Sequence, residues 1–211
     1  MNRKELKAAA KSQIKGKIGI LFLITVIISV ISGLASVLLG LIPGGSIVAA
    51  IIITPAFALS MTRIYLGVVA GEKPEVNDAF SGFDDFWAAF KVTFLVELKV
   101  FLWSLLFVIP GIVKSISYSM ALYVLAENKG MSARKCIEES KKMTKGHKME
   151  LFVLGLSFIG WGLLVSVTFG IAAIWVGPYI YATFTNAYHS LKPVVEVEAE
   201  EVVEETAEAE A

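Results

Sequence analysis

Residues 101–125, FLWSLLFVIPGIVKSISYSMALYVL, decide the fold. The stretch is apolar throughout, and Pro110-Gly111 interrupts it near the middle. One straight helix over Val92–Ala126 would run about 52 Å at 1.5 Å per residue, too long for a hydrocarbon core of about 30 Å. Proline has no N–H to donate and biases the residue before it away from the helical region, while glycine tolerates positive φ. The stretch therefore predicts a helical hairpin that turns at the far membrane face, with a re-entrant hairpin as the alternative. The first arm runs from about Phe86 or Val92 to Ile109. The second begins with Pro110 in its first turn and ends near Asn128.

Outward from that hairpin the pattern repeats. Ile18–Ile42 is a first span, closed by Pro43-Gly44-Gly45, and a second runs from Ser46 to about Ala70, with Arg63 snorkelling near its inner end. Met149–Gly170 and Ile171 to about Tyr188 are the fifth and sixth. Leu41-Ile42-Pro43-Gly44 resembles Val108-Ile109-Pro110-Gly111, and Pro55 precedes Tyr65 by the interval that separates Pro178 from Tyr188. The expected architecture is an all-α, polytopic membrane protein of about six transmembrane helices arranged as three helical hairpins. One domain covers residues 1–191, and residues 192–211 form an acidic, low-complexity, disordered tail. A mean hydropathy of +0.71, with 56% hydrophobic and 18% charged residues, excludes an ordinary soluble domain. The first apolar block has no A-x-A-like cleavage site and reads as a permanent span rather than a signal peptide.

The formal net charge of +0 conceals an asymmetry. Residues 193–211 carry eight Glu and no Lys or Arg, which leaves 19 basic against 11 acidic residues before them. Six of the basic residues precede Ile18 and seven lie between Lys129 and Lys148, whereas the expected outer turns carry almost none. The positive-inside rule then places both termini in the cytoplasm, which an even number of spans satisfies. Residues 2–17 form a basic amphipathic helix with Leu6, Ala10 and Ile14 on one face and Lys4, Lys7, Lys11 and Lys15 on another. Residues 132–146 form a second charged helix outside the membrane, with Ser132 as N-cap and Gly146 as its stop. Lys4, Lys7, Lys11, Lys15, Arg134, Lys141, Lys142 and Lys145 are the candidate contacts to anionic lipid. The same charges also serve simply to orient the spans. The acidic tail is solvated or folds back onto these basic segments.

Charged groups within apolar runs need a reason, because each costs about 2.5–3.5 kcal/mol at a bilayer centre on insertion scales. Glu97 shares a helical face with Thr93 and Ser104, whereas Lys99, with Trp103 four residues on, snorkels to the interface. Ser115, Tyr118, Ser119, Tyr179 and Asn186 are the other polar groups expected inside the bundle. With Glu97 and Ser104 they form the candidate intramembrane site, the alternative being interhelical hydrogen bonds that serve packing. Small residues at spacing four, such as Gly155, Gly162, Ser166 and Gly170, predict close helix–helix approach. No H-E-x-x-H, G-x-S-x-G, Walker loop or Cys/His cluster occurs, and Cys136 stands alone. His147 and His189 have no carboxylate partner evident in the sequence. The expectation is no catalytic residue, no metal and no cofactor.

The blocks LWSLLFVIPGIVKSISYSMALYVLAEN, IEESKKMTKGHKMELFVLGLSFIGW and VGPYIYATFTNAYHSL resemble the signature blocks of a bacterial integral membrane family. It is catalogued as domain-of-unknown-function family nine hundred seventy-five. The resemblance covers about Arg3 to Leu191, and extends more distantly to the membrane domain attached to some glycerophosphoryl diester phosphodiesterases, whose catalytic domain has no counterpart here. It implies a multi-helix bundle in a bacterial cytoplasmic membrane and carries over no functional residue. The leading expectation is a non-enzymatic scaffold or accessory protein whose partners are membrane lipids, a membrane protein or a second copy, and not nucleic acid. A small-solute or lipid transporter or channel is the alternative, and a lipid-modifying membrane enzyme the third.

Overall fold

A computed structural model of the chain describes residues 2–42 and 45–192. The Pro43-Gly44 turn and the acidic residues 193–211 lie outside the described residues. Within them every regular element is helical. In chain order these are α1 (Arg3–Ile14), α2 (Ile18–Gly40), α3 (Gly45–Val69), α4 (Phe86–Leu106), α5 (Val108–Tyr118), α6 (Ala121–Glu127), α7 (Ala133–Met143), α8 (Lys148–Leu156), α9 (Ile159–Val167) and α10 (Ala173–Leu191). A short 3₁₀ turn, Val76–Phe80, precedes α4.

The central hairpin turns earlier than Pro110-Gly111. Phe107 is fully extended, with φ −158° and ψ 143°, and it alone separates α4 from α5. Pro110 falls at the third position of α5, where its missing N–H would have had no intrahelical acceptor. Its ring needs the carbonyl four residues back moved aside, and the break at Phe107 leaves Leu106 as the last residue of α4, outside α5. Gly111 is fixed by close approach instead: a Cβ there would overlap Ser104 Oγ on the facing arm. The second arm is not continuous to Asn128 but breaks at Ser119-Met120. The expected fifth helix likewise breaks at Ser157-Phe158, between α8 and α9. The turn into α10 places Phe169 (φ 51°) and Gly170 (φ 89°) in the left-handed region.

Four helical segments are long and apolar enough to cross a membrane: Ile18–Gly40, Ile51–Val69, Val108–Glu127 and Lys148–Val167. The protein buries only 11% of the first and 17% of the last, against 56% and 44% for the middle two. On α2 alone, eight large apolar side chains from Phe22 to Leu39 are exposed. Full burial of such groups is worth about 1.5–3 kcal/mol each, so leaving them in water forfeits on the order of 10 kcal/mol, as much as a whole domain's stability. This pattern fits a helical membrane protein. The other two long helices are more polar: α4 carries Lys91, Glu97 and Lys99, and α10 carries Thr183, Thr185, Asn186 and His189.

Packing is concentrated at one end of the bundle. Leu59, Ala89, Tyr123, Leu125, Ile137, Leu154 and Tyr188 share one core, and Ala10, Ile14, Leu21, Ile24 and Tyr65 form another. The opposite end, at Leu41, Phe107, Ile109 and Phe169, is exposed and apolar. Close helix approach is selective too. Neither Gly155 nor Gly162 has an atom within 4 Å of where a Cβ would sit, so that small-residue stripe is not packed within the described chain. Gly82 is the opposite case. It donates its N–H to Ser60 Oγ at 2.8 Å, and a Cβ on it would overlap the Ala56 carbonyl. Phe57 packs on Phe80 and Phe83 of the same connector.

Overpacking a tight site costs about 1–3 kcal/mol. Gly82→Ala and Gly111→Val are therefore expected to lower the thermal midpoint of the detergent-purified protein, while Gly155→Ala leaves it unchanged. Equal midpoints across all three variants would contradict this packing.

Candidate functional site

Two amphipathic helices, α1 and α7, with the residues just after them, carry most of the exposed basic residues, and both are docked by the same register. On α1 the buried positions are Leu6, Ala10 and Ile14; on α7 they include Cys136, Ser140 and Thr144. Each helix starts on a side-chain cap, Asn2 or Ser132, and each is followed by a glycine with positive φ, Gly16 (81°) or Gly146 (90°). Lysines then coincide at Lys11 and Lys141 and at Lys15 and Lys145, and Leu21-Phe22 is matched by Leu151-Phe152. The glycine lets the chain reverse sharply into the following span without a Cβ penalty. The sequence reading missed this repeat because it compared span ends rather than amphipathic helices.

The docking contacts are specific. On α7, Ser140 Oγ donates to the Ser117 carbonyl at 2.9 Å and accepts the Met120 N–H at 3.2 Å. It thereby pairs two backbone groups on either side of the α5–α6 break. Thr144 Oγ1 donates to the Ser140 carbonyl at 2.8 Å. On α1, Gln13 and Asn186 of α10 exchange amide hydrogen bonds at 3.2 and 2.7 Å. Lys7 lies over the Phe158 ring at 4.2 Å, and burial, followed by the repulsion of Arg3, pulls its pKa below the usual lysine range. Lys17 Nζ donates to the Val68 and Glu72 carbonyls at the C-terminal end of α3, where a cation suits the helix dipole.

These anchors leave Lys4, Lys11, Lys15, Arg134, Lys141, Lys142 and Lys145 exposed. Lys142 pairs with Glu139 at 2.6 Å, which raises its pKa through that hydrogen bond. Cys136 is fully buried, and burial pushes its thiol pKa up, away from reactivity. His147 does have a carboxylate neighbour: Glu150, one turn on, lies at 2.9 Å. Arg63 reaches the connector instead of snorkelling, donating to the Ser81 carbonyl and pairing with Asp85. No group of three or more His, Cys, Asp or Glu able to hold a metal exists among the described residues.

The polar groups expected inside the bundle do not converge. Glu97 and Thr93 share a face, as their spacing requires, and line a cavity of about 480 Å³ between α3 and α4. Ser104 packs against Gly111. Ser115 and Ser119 line a separate open groove between α5 and α8, and each hydroxyl donates to its own helix. Tyr118 is buried, with Lys99 Nζ 5.8 Å from its ring centre. Tyr179 meets Phe158 and Trp161 edge-on, and Asn186 is spent on Gln13.

Among the described residues, a helical body with four segments long and apolar enough to cross a membrane, and two basic helices docked on it, is the class that the fold defines. The chain belongs to the family described as Protein of unknown function (DUF975), whose model matches residues 1–117 and 105–194. No curated protein and no solved structure matches the chain. The likeness to the membrane domain of glycerophosphoryl diester phosphodiesterases is not shown by the family match.

Removing one partner of a buried hydrogen bond costs about 1–3 kcal/mol. Ser140→Ala is expected to lower the thermal midpoint by that equivalent and to increase hydrogen exchange at Met120, whereas Ser119→Ala does neither. Unchanged exchange at Met120 in Ser140→Ala would exclude the bridging role.

Proposed function

We propose that the protein is a non-enzymatic scaffold or accessory protein of the bacterial cytoplasmic membrane that holds anionic lipid headgroups against α1 and α7. In this reading α2, α3, α4, α5–α6, α8–α9 and α10 are six spans forming three hairpins, and both termini are cytoplasmic. At 1.5 Å per residue α4 and α10 reach about 32 and 28 Å, enough to cross. The observation that carries the reading is the shared docking of the two amphipathic helices. Each is tied down by its apolar face and specific hydrogen bonds, and each turns Lys or Arg outward beside the start of a span. Basic helices so placed lie at the headgroup level, where each cation gains about 1 kcal/mol on an anionic surface.

Native mass spectrometry of protein extracted from phosphatidylglycerol–phosphatidylethanolamine membranes tests the reading. Phosphatidylglycerol is expected to be retained by the wild type. Lys4→Glu, Lys11→Glu and Lys15→Glu combined with Lys141→Glu and Lys145→Glu should reduce that occupancy more than tenfold, with phosphatidylethanolamine unaffected. Parallel loss of both lipids, or of neither, would refute it. A transporter is the second reading, favoured by the Glu97-lined cavity, and flux in proteoliposomes that Glu97→Gln abolishes would decide for it.

A further inference from the structure

The α3–α4 cavity has a composition that neither the family nor the basic helices explain. Its walls are apolar and aromatic, with Phe90, Phe94 and Phe101 on α4, yet it contains one carboxylate. None of the described ion pairs or hydrogen bonds involves Glu97, and Lys99, the cation nearest to it in sequence, is directed at the Tyr118 ring. One turn away, the buried Thr93 Oγ1 has no hydrogen-bond partner among the described residues. Across the cavity Pro55 lies inside α3 and has no N–H, so the Ile51 carbonyl loses its intrahelical donor. The polar side chains that line the cavity are thus Glu97, Thr93 and Thr54, one carboxylate and two hydroxyls, all able to accept.

We infer that this cavity is a binding site for an amphiphilic organic cation, with the cationic centre at Glu97 and the apolar part along the α4 phenylalanines. A bare acyl chain would fill the volume but leave the carboxylate uncompensated in an apolar wall, the costly case for a membrane-facing charge. An anion is repelled by Glu97. A small hydrated metal ion would have to shed its water for three ligands and forgo the aromatic wall, whereas an organic cation is weakly hydrated and gains from ring faces. The site is separate from α1 and α7, and neither reading depends on the other.

Two ions of the same size and shape and opposite charge test it. Purified full-length protein in detergent is dialysed to equilibrium against radiolabelled tetraphenylphosphonium or tetraphenylborate. The wild type is expected to retain the phosphonium at least tenfold over the borate. Glu97→Gln should abolish that preference, and Lys91→Gln, which removes an exposed charge from the same helix, should leave it intact. Equal retention of the two ions by the wild type would mean that the cavity takes up only apolar matter, and would overturn the assignment whatever the variants do. An undiminished preference in Glu97→Gln would overturn it as well.

Discussion

Backbone groups released where a helix breaks inside an apolar body must be paired again by protein, because lipid offers no partner and each orphan costs several kcal/mol. The α5–α6 break at Ser119-Met120 meets that demand with one hydroxyl. Ser140 takes the Met120 N–H and gives its proton to the Ser117 carbonyl. That bond sets where α7 lies, and so sets which charges of residues 129–148 face outward. The corresponding place on α1 is held by Ala10, buried as fully as Ser140. The helix beneath α1 is α10, continuous from Ala173 to Leu191; its Pro178 leaves only the Ile174 carbonyl without an intrahelical donor, two turns from Ala182, which shares a core with Ala10. One docking geometry therefore serves two neighbours, and the chemistry at a single buried position follows the state of the helix below.

What could be read from the residues followed from local rules. The apolar face of α1, the Ser132 cap, the Gly146 stop and the long apolar runs are all set by spacing or by one residue's backbone preference, and each appears in the structure. The breaks were less legible. Pro110 is a conspicuous turn signal, but the turn falls where its ring needs room, at Phe107, a residue with no turn preference of its own. Ser119-Met120 and Ser157-Phe158 carry neither proline nor glycine, and the first is stabilised by a residue on another helix. Partners distant in sequence, such as Gln13 with Asn186 or Arg63 with Asp85, left no local trace either.

The polar residues singled out within the spans show the same division. Spacing correctly placed Glu97 and Thr93 on one face, because both lie on one uninterrupted helix. It had no means of bringing Ser115, Tyr179 and Asn186 together, since that depends on how separate helices pack. Each of these proves to be engaged separately: Ser115 with its own helix, Tyr179 with aromatic rings and Asn186 with the Gln13 amide. Removing them from a common site leaves Glu97 more conspicuous, not less.

The uneven packing gives that carboxylate its context. One end of the bundle is consolidated by α1, α7 and the Phe80–Phe83 connector, while the other end presents apolar side chains outward. The α3–α4 cavity lies between helices joined at the consolidated end, where Ser60 grips Gly82 and Arg63 grips Asp85. Pro55 interrupts the α3 ladder, the kind of place at which a helix bends. The gap thus has proline on one wall and the α4 phenylalanines on the other. A carboxylate in a gap so constructed has apolar and aromatic side chains around it, and a partner that brings both a positive charge and apolar surface matches both features.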